Sequence, residues 1–324
     1  MKRYSAYLAF VTFLLTVVLT GCRREPLPET GDAIRFSVSP ATVEVDTKAD
    51  ALSVKGDLVK VDNKVALFGS YSTGTSTSVL FNGTTLTCTA VSGDNATWSY
   101  EYEGSPLRYW VREADSHDFR AVFPALATVT SGSSSSVAVT YDATNGYDLM
   151  VASEAGATPN TPVELKFRHA CAAVRFEFKK SGNDTGETCT ITSAKLTKVA
   201  TSGTLTYVGA SADTQVLLSE WSSVAPTSET EWALSDWTNR TVSTDYSGPW
   251  YYAVPQALDG TELVYSYDFA GDTDTVTLSI PNITWSPAMT YVYTIDIGMS
   301  RLDVQIEPWD SYSVWVTDIP FPDK

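Results

Sequence analysis

Apolar and polar side chains alternate along this chain in short runs. Val174, Phe176 and Phe178 fall on one side of a stretch whose other side carries Arg175, Glu177 and Lys179, the period-two pattern of a half-buried strand. Ser181-Gly182-Asn183-Asp184 then supplies turn residues before a second run from Thr188 to Thr197, so a hairpin is expected there. β-branched and aromatic runs of the same kind recur at Ala66 to Tyr71, Ser78 to Phe81, Thr85 to Val91, Thr97 to Tyr102, Asp118 to Phe123, Ser136 to Tyr141, Leu263 to Phe269, Thr273 to Ile280 and Thr290 to Ile297. After residue 25 no segment sustains the 3.6-residue period of a helix. An all-β chain of sandwiches is predicted.

At about 150 residues per domain, 324 residues suggest two domains. The Ser-rich stretch from Thr130 to Ser136 reads as a loop within the first half. Gly156 to Pro162 reads as the boundary, which places the split near residue 165: 32–165 for the first sandwich, 166–324 for the second. Near the start, Ile34, Phe36 and Val38 alternate with Arg35 and Ser37, and Val43 and Val45 resume the pattern before Lys48. An edge strand is expected here. At the far end Tyr312, Val314 and Val316 alternate with Ser313, Trp315 and Thr317 before Pro320 and Pro322, a final strand stopped by proline.

The first residues indicate export. Lys2 and Arg3 precede an apolar run of 13 residues, Leu8 to Thr20, too short for an ordinary membrane span and right for a signal peptide. It ends in Leu19-Thr20-Gly21-Cys22, which looks like a bacterial lipobox, so residues 1–21 are expected to be removed and Cys22 lipidated, with 22–31 as a tether. Two or three acyl chains, at about 0.8 kcal/mol per buried CH₂, anchor a protein stably where one does not. The outer membrane is then a partner through that lipid.

Composition narrows the chemistry. Lys and Arg total 22 against 38 Asp and Glu, a net charge of −16, which repels phosphate backbones and argues against nucleic acid. With two histidines, His117 and His169, and no Cys-x-x-Cys pair, phosphate loop or nucleophile elbow, neither a cofactor nor a metal is implied and an enzyme is not expected. Cys88, Cys171 and Cys189 read as small buried residues. His169 reads as a satisfied core or strand-end histidine, Trp285 and Trp309 as core anchors whose indole N–H groups need acceptors. Asp272 and Asp274 lack the companions of a calcium loop and suit a hairpin turn. Asp274-Thr275-Val276 matches a short bacterial O-glycosylation motif, which three residues do often by chance.

Tyr147-Asp148-Leu149-Met150-Val151-Ala152 forms a D-L-hydrophobic-x-A run, and Val163-Glu164-Leu165-Lys166-Phe167-Arg168-His169-Ala170 after it holds L-x-F-x-H. Trp285-Ser286-Pro287-Ala288 and Met289-Thr290-Tyr291-Val292-Tyr293-Thr294-Ile295 are close to W-x-P-G-x-x-Y-x-Y-x-I, with Ile306-Glu307-Pro308-Trp309 after them. In this order, and together with the lipobox, these segments resemble the fimbrillin family of Bacteroidales, lipoprotein subunits of type V pili. Ala288 stands where the family usually has glycine, so the turn before the last strand pair is expected to differ.

The resemblance implies two transthyretin-like β-sandwiches in tandem, exported to the cell surface or fimbrium. It further implies that a surface protease removes the N-terminal strand, here Ile34 to Val45, and that the extended C-terminal strand of another subunit fills the groove. That is β-augmentation: main-chain hydrogen bonds supply affinity and alternate side chains supply register. Cleavage in the family commonly follows Arg; the best-placed basic residue here is Lys48, with Arg35 a poorer alternative because most of the strand would remain. Tyr312, Val314 and Val316 form the candidate donor strand, the alternative being a strand paired within its own domain. Partners are then other fimbrial subunits, like or unlike, and surface ligands of host or bacterial cells. A second class, a surface glycan-binding lipoprotein, is suggested by Trp221, Trp232, Trp237, Trp250, Tyr251 and Tyr252 in a polar stretch, since exposed indoles stack on sugars.

Overall fold

The structure is a computed structural model that describes residues 33–40, 58, 60–92, 95–100, 108–125, 127–132, 135–180, 188–209, 215–227, 229–242, 248–297, 301–309 and 314–316. Cys22, Val43, Val45, Lys48 and Tyr312 lie outside them. In chain order the first strands are β1 (Phe36–Pro40), β2 (Lys64–Thr73), β3 (Ser76–Ser92), β4 (Asn95–Tyr100), β5 (Ser116–Phe123), β6 (Thr128–Gly132), β7 (Val137–Asp142), β8 (Met150–Glu154) and β9 (Val163–His169). β10 (Ala172–Lys179), β11 (Cys189–Thr197), β12 (Ser202–Tyr207), β13 (Trp221–Ser222), β14 (Glu231–Ala233), β15 (Arg240–Thr241) and β16 (Trp250–Ala253) follow. The chain ends with β17 (Gln256–Ala257), β18 (Glu262–Phe269), β19 (Asp272–Ser279), β20 (Thr284–Trp285), β21 (Met289–Asp296), β22 (Arg301–Pro308) and β23 (Val314–Val316). The fold is all-β, as the alternation predicts.

A seven-stranded sheet, in the order β1-β9-β8-β5-β2-β3-β4, holds the first core. Ile34, Phe36, Val65, Leu67, Phe81, Leu86, Trp110, Phe119, Leu165 and Phe167 fill it. The other face of this sheet is covered as well: Ala66, Phe68, Val122 and Val151 pack with Val139, Tyr141, Leu205 and Tyr207 of the four-stranded sheet β13-β12-β7-β6. That explains why β2 is buried at six successive positions, Val65 to Ser70, where a one-sided strand would alternate. Two five-stranded sheets, β16-β10-β21-β22-β23 and β14-β11-β18-β19 with β15 also paired to β11, hold the second core, in which Phe176 and Phe178 lie against Tyr293, Trp237 and Tyr265. The four-stranded sheet draws on both sides of residue 165, since β7 pairs antiparallel with β12 from Asp142 opposite Ser202 to Val137 opposite Tyr207.

Two local expectations are corrected. β10 and β11 are not a hairpin: β10 pairs with β16 and β21, β11 with β14, β15 and β18. Each strand carries a buried apolar face, and placing them in two facing sheets buries both in one core, so the alternation is satisfied without the hairpin pairing. The stretch from Thr130 to Ser136 is not wholly loop, because Thr128–Gly132 forms β6 beside β7. Ser and Thr keep enough β-propensity to serve at an edge. The predicted runs Ser78 to Phe81 and Thr85 to Val91 are one long strand, β3, whose pairing with β2 shifts register twice, between Leu67 and Phe68 and between Gly69 and Ser70. Asp268, Ala270 and Gly271 turn β18 into β19, with left-handed φ of 54° and 94° at Ala270 and Gly271 and the Gly271 N–H on Asp268 Oδ1 at 2.9 Å. Asp272 and Asp274 thus belong to a hairpin.

Ala288 adopts φ 55°, the left-handed region that glycine favours. Its N–H donates to the Cys171 carbonyl and its own carbonyl accepts from the Trp309 N–H, each at 2.9 Å. Ala288 thus holds a backbone conformation that glycine adopts without Cβ strain. Ala288→Gly is expected to raise stability by about 0.5–1 kcal/mol, the relief of left-handed strain less the entropy glycine adds to the unfolded chain. Chemical denaturation with an unchanged m-value checks it.

Candidate functional site

β1 lies at the edge of the seven-stranded sheet and runs parallel to β9, with Phe36 opposite Val163, Val38 opposite Leu165 and Pro40 opposite Phe167. Alternation turns Ile34, Phe36 and Val38 into the core, at 0%, 8% and 8% exposure, and leaves Arg35 and Ser37 in solvent. Phe36 sits edge-on among three rings, with centroids 5.6 Å from Phe81, 5.8 Å from Tyr100 and 5.5 Å from Phe119. Burying one such phenyl contributes about 1.5–3 kcal/mol, and the edge contacts add to it.

The start of this strand is clasped from the other side. The Ile34 N–H donates to the Arg108 carbonyl at 2.8 Å, Ala33 and Tyr109 form an antiparallel bridge, and the Tyr100 hydroxyl donates to the Ile34 carbonyl at 3.0 Å while accepting the Arg108 N–H at 2.9 Å. A sheet edge thus becomes a nearly closed seam. The Arg35 carbonyl accepts the Val163 N–H at 2.8 Å, so the peptide after Arg35 is engaged in strand pairing. Proteases bind free extended segments, and this bond is not one.

At the other end β23 pairs antiparallel with β22, Val314 opposite Ile306 and Val316 opposite Val304. The segment read as a candidate donor strand is here the edge of its own sheet.

The family-like motifs converge where the end of β9 meets the end of β22. His169 ends β9, is buried, and places Nδ1 2.6 Å from Asp148 Oδ2. Its ring stacks on Trp309 at 3.6 Å and 8°, and Trp309 lies parallel to Tyr252 at 5.7 Å. Tyr252 in turn offers its carbonyl to the Tyr141 hydroxyl at 2.9 Å. His169 is a strand-end histidine with a carboxylate partner, as its apolar neighbours suggest, but sequence spacing did not reveal Asp148, which stands 21 residues away. No group of three metal-ligating side chains occurs among the described residues. Trp285 donates to Tyr293 Oη at 2.9 Å, the acceptor its burial demands, whereas Trp309 Nε1 has none among the described residues.

The aromatic stretch that suggested sugar binding is largely core. Trp221, Trp232 and Trp237 are buried, Trp221 donating to the Ala170 carbonyl at 3.1 Å. Trp250, Tyr251 and Tyr252 are half-buried, and the Arg175 guanidinium covers Trp250 at 4.6 Å. Cys88, Cys171 and Cys189 are free thiols and buried, and burial pushes the Cys171 thiol far above its ordinary value, so it stays protonated and inert.

The sequence matches a family model described as fimbrillin-like over residues 47–309. No curated protein matches it. Among solved structures it is similar to a candidate cell adhesion protein from Bacteroides uniformis, at 18% identity and TM-score 0.55, covering 79% of this chain and 95% of that one. Two further candidate cell adhesion proteins, from Bacteroides ovatus and Bacteroides fragilis, share 13% and 12% identity, each with TM-score 0.51, and cover 90% and 89% of this chain and all of theirs. At such identities the likeness is one of fold.

Proposed function

Because the chain belongs to the fimbrillin-like family, we propose that it is a structural, non-catalytic subunit of cell-surface fimbriae, or a fimbrillin-like adhesin, exported as a lipoprotein on Cys22. In this reading it is organised as a signal peptide (1–21), a tether and two transthyretin-like sandwiches divided near residue 165. Cleavage after Lys48 releases Ile34 to Val45, and the C-terminal strand of a neighbouring subunit, carrying Tyr312, Val314 and Val316, takes the vacated place.

The observation that carries the reading is β1 itself. A five-residue edge strand, paired with β9 along one side, supplies Phe36 and Val38 to a core it joins from outside, with Ile34 just ahead of it buried in the same core. Its removal exposes the β9 edge and an apolar groove, and an extended strand with alternate apolar residues restores both. Val314 and Val316 have that spacing. The bond after Arg35 is held within strand pairing, which argues against that alternative processing site.

Intact mass and N-terminal sequencing of protein sheared from its native cells test this directly. The expected product begins at Ala49 and migrates in SDS-resistant ladders. A full-length acylated monomer beginning at Cys22 would overturn the polymerising role and leave an uncut anchor or a glycan-binding lipoprotein.

A further inference from the structure

The segment that clasps β1 is itself fastened by a histidine. We infer that residues 108–111 form a strap over the N-terminal strand, and that His117, through its contact with the Val111 amide, makes the hold of that strap acid-labile.

The strap holds the residues leading into β1, through the Arg108 carbonyl on the Ile34 N–H and the bridge between Tyr109 and Ala33. It is anchored inward by Trp110, which is buried and meets Phe119 edge-on at 6.0 Å and His117 edge-on at 4.8 Å. Beside that anchor the Val111 N–H donates to His117 Nε2 at 3.3 Å. Only an unprotonated Nε2 accepts that bond; the imidazolium presents N–H against N–H.

His117 is 1% exposed in the first core. Trp110 and Val111 face it from the strap and Tyr71 from β2, at 6.2 Å between ring centroids. On its own strand the nearest charge is Asp118, whose Oδ1 holds the Gly156 N–H at 2.8 Å. Arg112 and Glu113 are exposed, and Asp115 Oδ2 is engaged with the Gly74 N–H. The ring thus sits among aromatic and backbone groups, and burial pushes its titration below the ordinary histidine value, with Asp118 acting in the opposite direction.

The sign follows. Above the ordinary value the ring is neutral in folded and unfolded chains alike, and the strap is fastened. As pH falls through the depressed folded value, protonation is forced on the ring and the Val111 bond is lost. Strap and strand then open more often, while the rest of the sheet keeps its pairing. The consequence for assembly, easier release of β1 in acid, rests on the proposed strand exchange; the fastening itself does not.

Hydrogen exchange of the full chain, read on peptides covering residues 33–38 and 108–113, tests the strap between about pH 7.5 and about pH 4.5 after correction for intrinsic rates. Protection is expected to fall at least about tenfold on both peptides, with a midpoint matching the His117 imidazole titration followed by NMR. His117→Gln keeps an acceptor without a titrating proton and should flatten the profile. Undiminished pH dependence in that variant, or unchanged protection in the native chain while His117 titrates, overturns the proposal. Should the variant not fold, the two midpoints in the native chain decide the matter. Exchange is measured on the monomer, so a chain that never polymerises still tests the strap, and ladders without the acid effect sink the strap alone.

Discussion

Replacing Phe36 with Ala is expected to cost about 3–5 kcal/mol of stability, the range for deleting a buried phenyl ring. Phe36 is held edge-on by Phe81, Tyr100 and Phe119, rings carried on β3, β4 and β5, so the cavity is lined by rigid strands that relax little. The loss should be concentrated at the edge: hydrogen exchange in β1 and along the exposed side of β9 should accelerate far more than in β10 or β21. Phe36→Leu, which refills much of the space, should recover more than half of the loss. Equal loosening of both cores in Phe36→Ala would show that β1 is integral to the whole molecule, and would count against a strand built to be exchanged.

The second large effect is expected at Trp309. Trp309→Ala removes the ring between His169 and Tyr252 and should destabilise by about 3–5 kcal/mol. Here the damage should spread, because His169 belongs to the end of β9, Tyr252 to β16 and Trp309 to the end of β22. His169→Ala should cost less in packing but leave the Asp148 carboxylate without its imidazole partner, and a double mutant with Asp148→Ala should be less destabilised than the sum of the two single changes. Denaturant unfolding of the four chains provides the cycle. Additive effects would mean that the 2.6 Å contact between Asp148 and His169 contributes nothing specific.

Much of the strand content was legible locally. Val163, Leu165 and Phe167, or Tyr291, Tyr293 and Ile295, alternate because one face of each strand meets a core, and the structure buries them so. The burial of Ile34, Phe36 and Val38 was legible for the same reason. What misled was adjacency: the turn residues after Lys179 suggested a hairpin, yet β10 and β11 lie in different sheets. Alternation reports which side chains are buried and is silent on which strand lies alongside. The aromatic stretch around Trp232 was ambiguous for a related reason, since residue type alone does not separate an exposed indole from one buried in a thick sandwich.

The sequence by itself determined that this is an all-β chain with an apolar, alternating N-terminal strand, and its ordered motifs identified the fimbrillin family. These properties reside in period, composition and short fixed spacings. Only the tertiary structure decided that β1 pairs parallel with β9, that Tyr100, Arg108 and Tyr109 clasp the residues leading into it, and that His169, paired with Asp148, stacks on Trp309 and through it on Tyr252. Those partners are separated by tens to more than a hundred residues along the chain, and no local pattern encodes them. They are selected because a two-sided sheet must cover both faces, and a buried polar atom must find its counterpart wherever the chain brings one.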